Sequence, residues 1–266
     1  MDLSITISTP GSSFSPIVFQ GEYIEQIKLA GELGFKYVEL HVRDPKLIDL
    51  SDLKKCLVGT GIQVSTIGTG QAYVDDHLYF SSPDEVVRQQ AIERVKAQIK
   101  FAAELKAKVI LGTIKGPLPV DKKVAPIARN YILESLAECV EFAEKFEVQL
   151  TIEAINRYET NFLNNAAETV ALIKELGSTF LGLHLDTFHM NIEEENSIQA
   201  LHDGKEFIEH VHFADNNRFL PGQGQMDFTL IIQTLKDIGF NKMASIECIR
   251  WKKGDPHLEI PKSANY

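Results

Sequence analysis

Along this chain, short runs rich in β-branched and other apolar residues alternate with longer amphipathic segments, and the strand-type run recurs eight times. The runs fall at residues 3–8, 36–41, 62–67, 109–112, 148–153, 180–186, 208–213 and 243–247. Between them, helical periodicity marks residues 21–33, 51–58, 83–105, 124–146 and 166–176, with short helices near Ser197 and Thr229. The segment 83–105 is preceded by Ser82 and opens Pro83-Asp84-Glu85, an N-cap followed by a first-turn proline and acids. An open doubly wound sheet rarely needs eight such repeats, so the rhythm predicts an α/β fold, a closed (β/α)8 barrel. Residues 248–266 carry Pro256 and Pro261, which predicts an eighth helix that is short or missing.

No Ser/Gly linker or low-complexity stretch divides residues 1–266, so a single barrel domain is expected. With 27 basic against 37 acidic residues the formal charge is −10, which argues against a nucleic-acid partner, since binding a phosphate backbone needs cations. No apolar run reaches the ~18 residues of a membrane span, and Met1-Asp2-Leu3 is no basic signal-peptide flank. A cytoplasmic protein is expected. Cys56, Cys139 and Cys248 are odd in number and lack metal-type spacing, which fits reduced thiols.

In a (β/α)8 barrel, chemistry gathers at the C-terminal ends of the strands. Four successive runs here end in ligand-type residues: Glu153, Asp186, His212 and Glu247. Any one such acid is as readily a helix cap or a solvated strand end. Four on neighbouring strands would force like charges together, which is costly without a cation. Three carboxylates and one imidazole form a mostly oxygen-donor set, suited to Mn²⁺ or Mg²⁺, with Co²⁺ as an alternative. Glu153 and Glu247 come from the fifth and eighth strands, an arrangement fitted to two-base inversion of a carbon beside a carbonyl. One group removes a proton from one face and the other returns one to the opposite face, while a cation holds the enediolate charge.

Three longer motifs carry a family resemblance: Glu153-Ala154-Ile155-Asn156-Arg157-Tyr158-Glu159-Thr160, the run from Leu185-Asp186-Thr187-Phe188-His189 through Glu194, and His210-Val211-His212-Phe213-Ala214-Asp215-Asn216-Asn217-Arg218 closed by Pro221-Gly222-Gln223-Gly224. The chain resembles the ketose 3-epimerases, the D-tagatose and D-allulose 3-epimerases of the xylose-isomerase-like TIM-barrel superfamily, up to about Glu247. The resemblance implies an isomerase of carbohydrate metabolism in which Glu153, Asp186, His212 and Glu247 hold the metal. It further implies that Glu153 and Glu247 double as the acid/base pair, and that Glu159, His189 and Arg218 bind the O1-to-O3 end of a sugar. It also implies a homo-oligomer, a dimer or tetramer. Val42-Arg43-Asp44-Pro45 and the stretch from Ile67 through Tyr73 look closer to a branch acting on keto-sugar acids such as 5-keto-L-gluconate. Arg43 offers a forked donor suited to a carboxylate, with Lys115 placed to assist, or else it simply pairs with a neighbouring acid. Gly68-Thr69-Gly70 lacks the Lys-Ser/Thr of a phosphate loop and reads as backbone room for a ligand, with Gln71 as a hydroxyl contact.

Other features read two ways. Glu193-Glu194-Glu195 is a solvated acidic loop or a helix start. Trp251 is a packing anchor or a sugar platform, and Phe14 and Phe19 are sugar cover, lid or subunit contact. Among rival functions, an aldose–ketose or keto-inositol isomerase would use the same metal site. A metal-dependent phosphodiesterase or endonuclease would want a His-rich multinuclear cluster and a basic face, against eight His and a net charge of −10 here. A barrel that only binds sugar would have no need of the Glu153/Glu247 pair.

Overall fold

The computed structural model describes residues 1–9, 13 and 16–249. Eight parallel strands follow one another around a closed barrel: β1 (Asp2–Ser8), β2 (Tyr37–His41), β3 (Gln63–Gly68), β4 (Lys108–Leu111), β5 (Leu150–Glu153), β6 (Leu181–Asp186), β7 (Ile208–Phe213) and β8 (Met243–Ile246). Closure comes from β1 against β8, in the register Asp2↔Met243 through Ile5↔Ile246. A two-residue strand, Phe19–Gln20, adds to the far end of β1 by pairing Ile7 with Phe19. Parallel strands need crossovers, and helices supply them: α1 (Tyr23–Glu32), α2 (Leu50–Thr60), α3 (Gly70–Asp76), α4 (Glu85–Leu105), α5 (Ala125–Lys145), α6 (Ala166–Leu176), α7 (Thr187–Glu193), α8 (Ser197–Gly204) and α9 (Phe228–Asp237).

Local chemistry sets the helix ends. Asp49, Asp84, Asn165 and Asp227 each accept a hydrogen bond from a first-turn amide, at 2.8–3.0 Å. The α4 cap is therefore Asp84, and Pro83 lies before it, outside the helix. Gly61 and Gly177 end α2 and α6 at φ 71° and 69°, where a side chain would strain the left-handed turn. Two helices go beyond the sequence reading: α3 starts at Gly70, inside the stretch read as open backbone, and α7 starts directly after Asp186.

The apolar core lies between strands and helices. Ile5, Ile7, Val38, Leu40, Leu183, Leu185, Val211 and Ile246 are all buried in it. Alternate residues of the same strands turn into the barrel, and there the composition changes. Ser4, Thr6, Glu39, Thr66, His184, His210 and Ser245 are wholly buried. Barrel interiors are usually layered with Val, Ile and Leu. This one is polar through much of its depth, and its mouth carries the candidate site.

Phe19 is packed at 1% exposure in the short edge strand, which assigns it to the core. Phe14, Trp251 and the proline-bearing segment after Ile249, with the expected eighth helix, lie outside the described residues. Among the described residues, no helix is long and apolar enough to cross a membrane.

Candidate metal centre

Glu153 closes β5, Asp186 closes β6, His212 lies one residue before the end of β7, and Glu247 directly follows β8. One donor atom from each can be chosen so that all four lie within 4.8 Å of one another, and all four side chains are buried. The strand register sets Asp186 level with His212, while Glu153 pairs with His184, one inward position below Asp186. Asp186 also caps α7, its Oδ1 accepting from the Phe188 amide at 2.8 Å. Cap and candidate ligand are thus one residue, with Oδ2 left to face the site.

On the opposite side, β3 and the run after β4 end in glycine, and both glycines make room. A Cβ on Gly112 would stand 2.8 Å from Glu153 Oε2, and one on Gly68 would stand 2.7 Å from the His41 ring. The resulting cavity is lined by His41, Glu153, Glu159, His189, Arg218 and Glu247 among others.

Arg218 is a buried counter-charge to two of these carboxylates. Its guanidinium donates to Asp186 Oδ2 and, at 2.5 Å, to Glu247 Oε2. The residue sits at φ 65°, in a loop organised by the buried carboxylate of Asp215, which accepts from the amides of Asn216, Gly222 and Met226. His212 Nδ1 lies 3.2 Å from Glu247 Oε2, and its Nε2 lies 3.0 Å from Glu39 Oε1.

These surroundings split the two glutamates. Burial, with Glu247 and Asp186 nearby, pushes the Glu153 carboxyl up to about 8. For Glu247 burial acts in the same sense, but His212 and Arg218 outweigh it and hold the group below the usual carboxylate range. Near neutrality one is a carboxylic acid and the other a carboxylate. Burial, reinforced by the positive charges of Arg218 and Lys115, pushes His189 down to about 3, so its ring is neutral. Asn156 Nδ2 donates to His189 Nδ1 at 2.7 Å and to Glu159 Oε1 at 2.9 Å. With Nδ1 accepting, the His189 proton sits on Nε2, which points at Glu153 Oε1 from 3.6 Å.

Of the remaining residues picked out in the sequence, Glu159, His189 and Arg218 line this cavity. Arg43 does not. Its guanidinium donates to Asp76 Oδ1 through Nε at 2.8 Å and lines a separate groove with Leu47 and Asp49. Gln71 is wholly buried, does not line the cavity, and among the described residues neither polar atom of its amide has a hydrogen-bond partner. Lys115 is buried beneath the site, donating to the carbonyls of Gly112 and Glu153 rather than standing beside Arg43. Burial pulls its ammonium down to about 8. In the acidic triplet, Glu193 accepts from Arg157 and Glu194 accepts from the Ala166 amide at the start of α6, so both have structural partners.

Four residues of this region escaped the sequence reading as site members: Glu39, His41, Asn156 and Asp215. For the first two a signal was present, because Glu39 and His41 sit at alternate positions of Tyr37-Val38-Glu39-Leu40-His41, a strand whose other face is apolar.

A family model described as xylose isomerase-like TIM barrel matches residues 27–266 of this chain. The D-psicose 3-epimerase of Agrobacterium fabrum is 31% identical over 85% of this chain and 78% of its own length. The L-ribulose 3-epimerase of Mesorhizobium japonicum is 30% identical over 90% of this chain and 80% of its own. In three dimensions, the 3-keto-D-glucoside 4-epimerase of E. coli superposes with a TM-score of 0.80, covering 98% of both chains at 24% identity, a likeness of fold.

Proposed function

Because this chain belongs to the xylose isomerase-like TIM-barrel family, we propose that it is a divalent-metal-dependent sugar epimerase, inverting the carbon next to a keto group in a ketose or keto-sugar acid. The observation that carries this reading is the convergence of Glu153, Asp186, His212 and Glu247 within 4.8 Å, all four buried at the mouth of the barrel. Three carboxyl groups and an imidazole suit a hard or borderline cation, and Mn²⁺ is the ion we assign, with Mg²⁺ or Co²⁺ as alternatives. When bound, such a cation supplies Lewis-acid polarisation of the substrate's carbonyl and hydroxyl oxygens.

The chain's own residues do the rest. Glu153 and Glu247 are the two bases: in one direction Glu247 takes the proton from the carbon beside the carbonyl and Glu153, protonated for that direction, returns one to the opposite face. In the reverse direction the two exchange roles. Neutral His189 presents Nε2–H toward the reacting oxygens, a fixed donor that needs no proton transfer of its own. Arg218 balances the developing negative charge, and Glu159, tied to Asn156, accepts a substrate hydroxyl. In the metal-free protein, a proton on Glu153 lets it lie next to Glu247 without mutual repulsion.

The A. fabrum and M. japonicum relatives are named for 3-epimerisation of ketoses. Similar chemistry is our expectation here, in a cytoplasmic homodimer or homotetramer; the free thiols of Cys56, Cys139 and Cys248 fit a reducing compartment. The test is incubation with a panel of ketoses and keto-sugar acids, with Mn²⁺ or with EDTA, and chromatography of the products. A metal-dependent C3 epimer supports the reading. An aldose or a shifted ketone identifies the isomerase instead, and no turnover of any panel member with Mn²⁺ contradicts it.

A further inference from the structure

Beneath the metal centre lies a carboxylate that the mechanism above does not use. Glu39, from β2, has no solvent exposure and, among the described residues, no Arg or Lys as a hydrogen-bond partner. Five side chains from four strands are aimed at it. His41 Nε2 reaches Oε1 at 2.8 Å; Thr66 Oγ1, His210 Nε2 and Ser245 Oγ reach Oε2 at 2.6, 2.9 and 2.8 Å; His212 Nε2 lies 3.0 Å from Oε1 and 3.1 Å from Oε2. Burying a carboxylate with no Arg or Lys to pair it is expensive, and a leucine there would fill a barrel interior at no such cost. The energetic penalty therefore calls for a reason beyond packing.

The reason is in the two ends of His212. Its Nε2 faces Glu39 and its Nδ1 faces the Glu247 carboxylate at 3.2 Å, inside the four-donor cluster. A carboxylate can only accept, so contact with Glu39 keeps a proton on Nε2. Both ring nitrogens face carboxylates, so a cation entering the cluster takes the place of the proton on Nδ1, beside Glu247, while Glu39 keeps the one on Nε2. His210, hydrogen-bonded to the same carboxylate from one pleat deeper in β7, and His41, from the neighbouring inward position in β2, brace Glu39 so that it cannot turn away. We propose that Glu39 is the positioning residue of the metal centre, holding His212 in the Nε2–H tautomer so that Nδ1 is presented to the cation. This rests on the metal-site reading given above.

Outer-shell carboxylates on metal-binding histidines typically contribute 10–100-fold in metal affinity. Titration with Mn²⁺, read from the paramagnetic resonance signal of the free ion, should show Glu39→Gln binding roughly 10–100-fold more weakly than the unmodified protein. Thr66→Val removes a different hydrogen bond to the same carboxylate and leaves His212 in place. It should stay within about threefold of the unmodified protein, which a general loosening of the interior would not allow. A second readout needs no variant. With ¹⁵N-histidine labelling and diamagnetic Zn²⁺ as the probe, His212 should show a protonated Nε2 and a metal-shifted Nδ1. Equal Mn²⁺ affinity in Glu39→Gln, or a metal-bound Nε2 in the unmodified protein, overturns the proposal while the metal site stands. If the unmodified protein binds no Mn²⁺ at all, the metal-site reading fails first and this proposal with it.

Discussion

Replacing Glu153 by glutamine in the metal-free protein separates the electrostatic cost of the centre from its chemistry. The group's ordinary value of 4.5 is raised to about 8 in the fold, by burial and by Glu247 and Asp186. Between those two values the folded protein keeps a proton that the unfolded chain has lost, so stability falls as pH rises through this window. At about 1.36 kcal/mol per pKa unit the full shift corresponds to about 3–5 kcal/mol. The glutamine carries no charge and escapes this loss. Thermal unfolding followed by circular dichroism in EDTA at pH 5, 7 and 9 reads the difference directly. Near pH 5 the two proteins should melt within a few degrees of each other, because the side chain is uncharged in both folded states. By pH 9 the variant should melt of order 10 °C higher, taking ~2–4 °C per kcal/mol for a chain of this size. Adding Mn²⁺ at pH 8 should reverse the order, stabilising the unmodified protein and leaving the variant unmoved. A gap that does not change with pH, or a variant that melts lower at pH 9, would refute the argument that Glu153 is held protonated by its buried acidic neighbours.

Further consequences follow from the same geometry. Arg218→Met leaves Asp186 and Glu247 buried without their guanidinium, and should cost about 3–5 kcal/mol in urea unfolding with EDTA present, with part of the loss recovered on adding Mn²⁺. Asn156→Leu removes the donor that sets the His189 tautomer; kcat/KM for the best ketose should fall roughly 10–100-fold, with little change in melting temperature. Gly112→Ala places a Cβ 2.8 Å from Glu153 Oε2, so Mn²⁺ affinity by calorimetry should drop about tenfold or more while circular dichroism stays native. Arg43→Ala breaks only an exposed pair with Asp76 and should leave kcat/KM for neutral ketoses within about twofold.

The barrel could be read from the chain because each strand is buried on both faces and so announces itself as a compact apolar run, and because the longer intervening helices show a 3.6-residue period. Helices α3 and α7 are seven residues each, too short for that period to emerge, and α3 begins at a glycine. Glu153, Asp186 and Glu247 stood out because each interrupts an apolar run at its end. Glu39 and His210 did not, since they lie mid-strand, where the expectation of an apolar interior hides a polar one. Arg43 shows the limit of local reasoning: what it pairs with is Asp76, 33 residues away, and only the folding of β2 and α3 onto adjacent positions brings the two together. Asn156 likewise acts through His189, 33 residues further on, by a contact that no spacing encodes.

If the four-donor centre and its two glutamates invert a carbon beside a carbonyl, solvent deuterium must enter at that carbon. In D₂O with Mn²⁺ and the best ketose of the panel, NMR should show one deuterium at the inverted carbon of the new epimer and none at the carbon across the carbonyl. Glu247→Gln should lose this product by at least about 10²-fold. Deuterium on the other side of the carbonyl, or an unchanged rate in Glu247→Gln, would contradict two-base inversion.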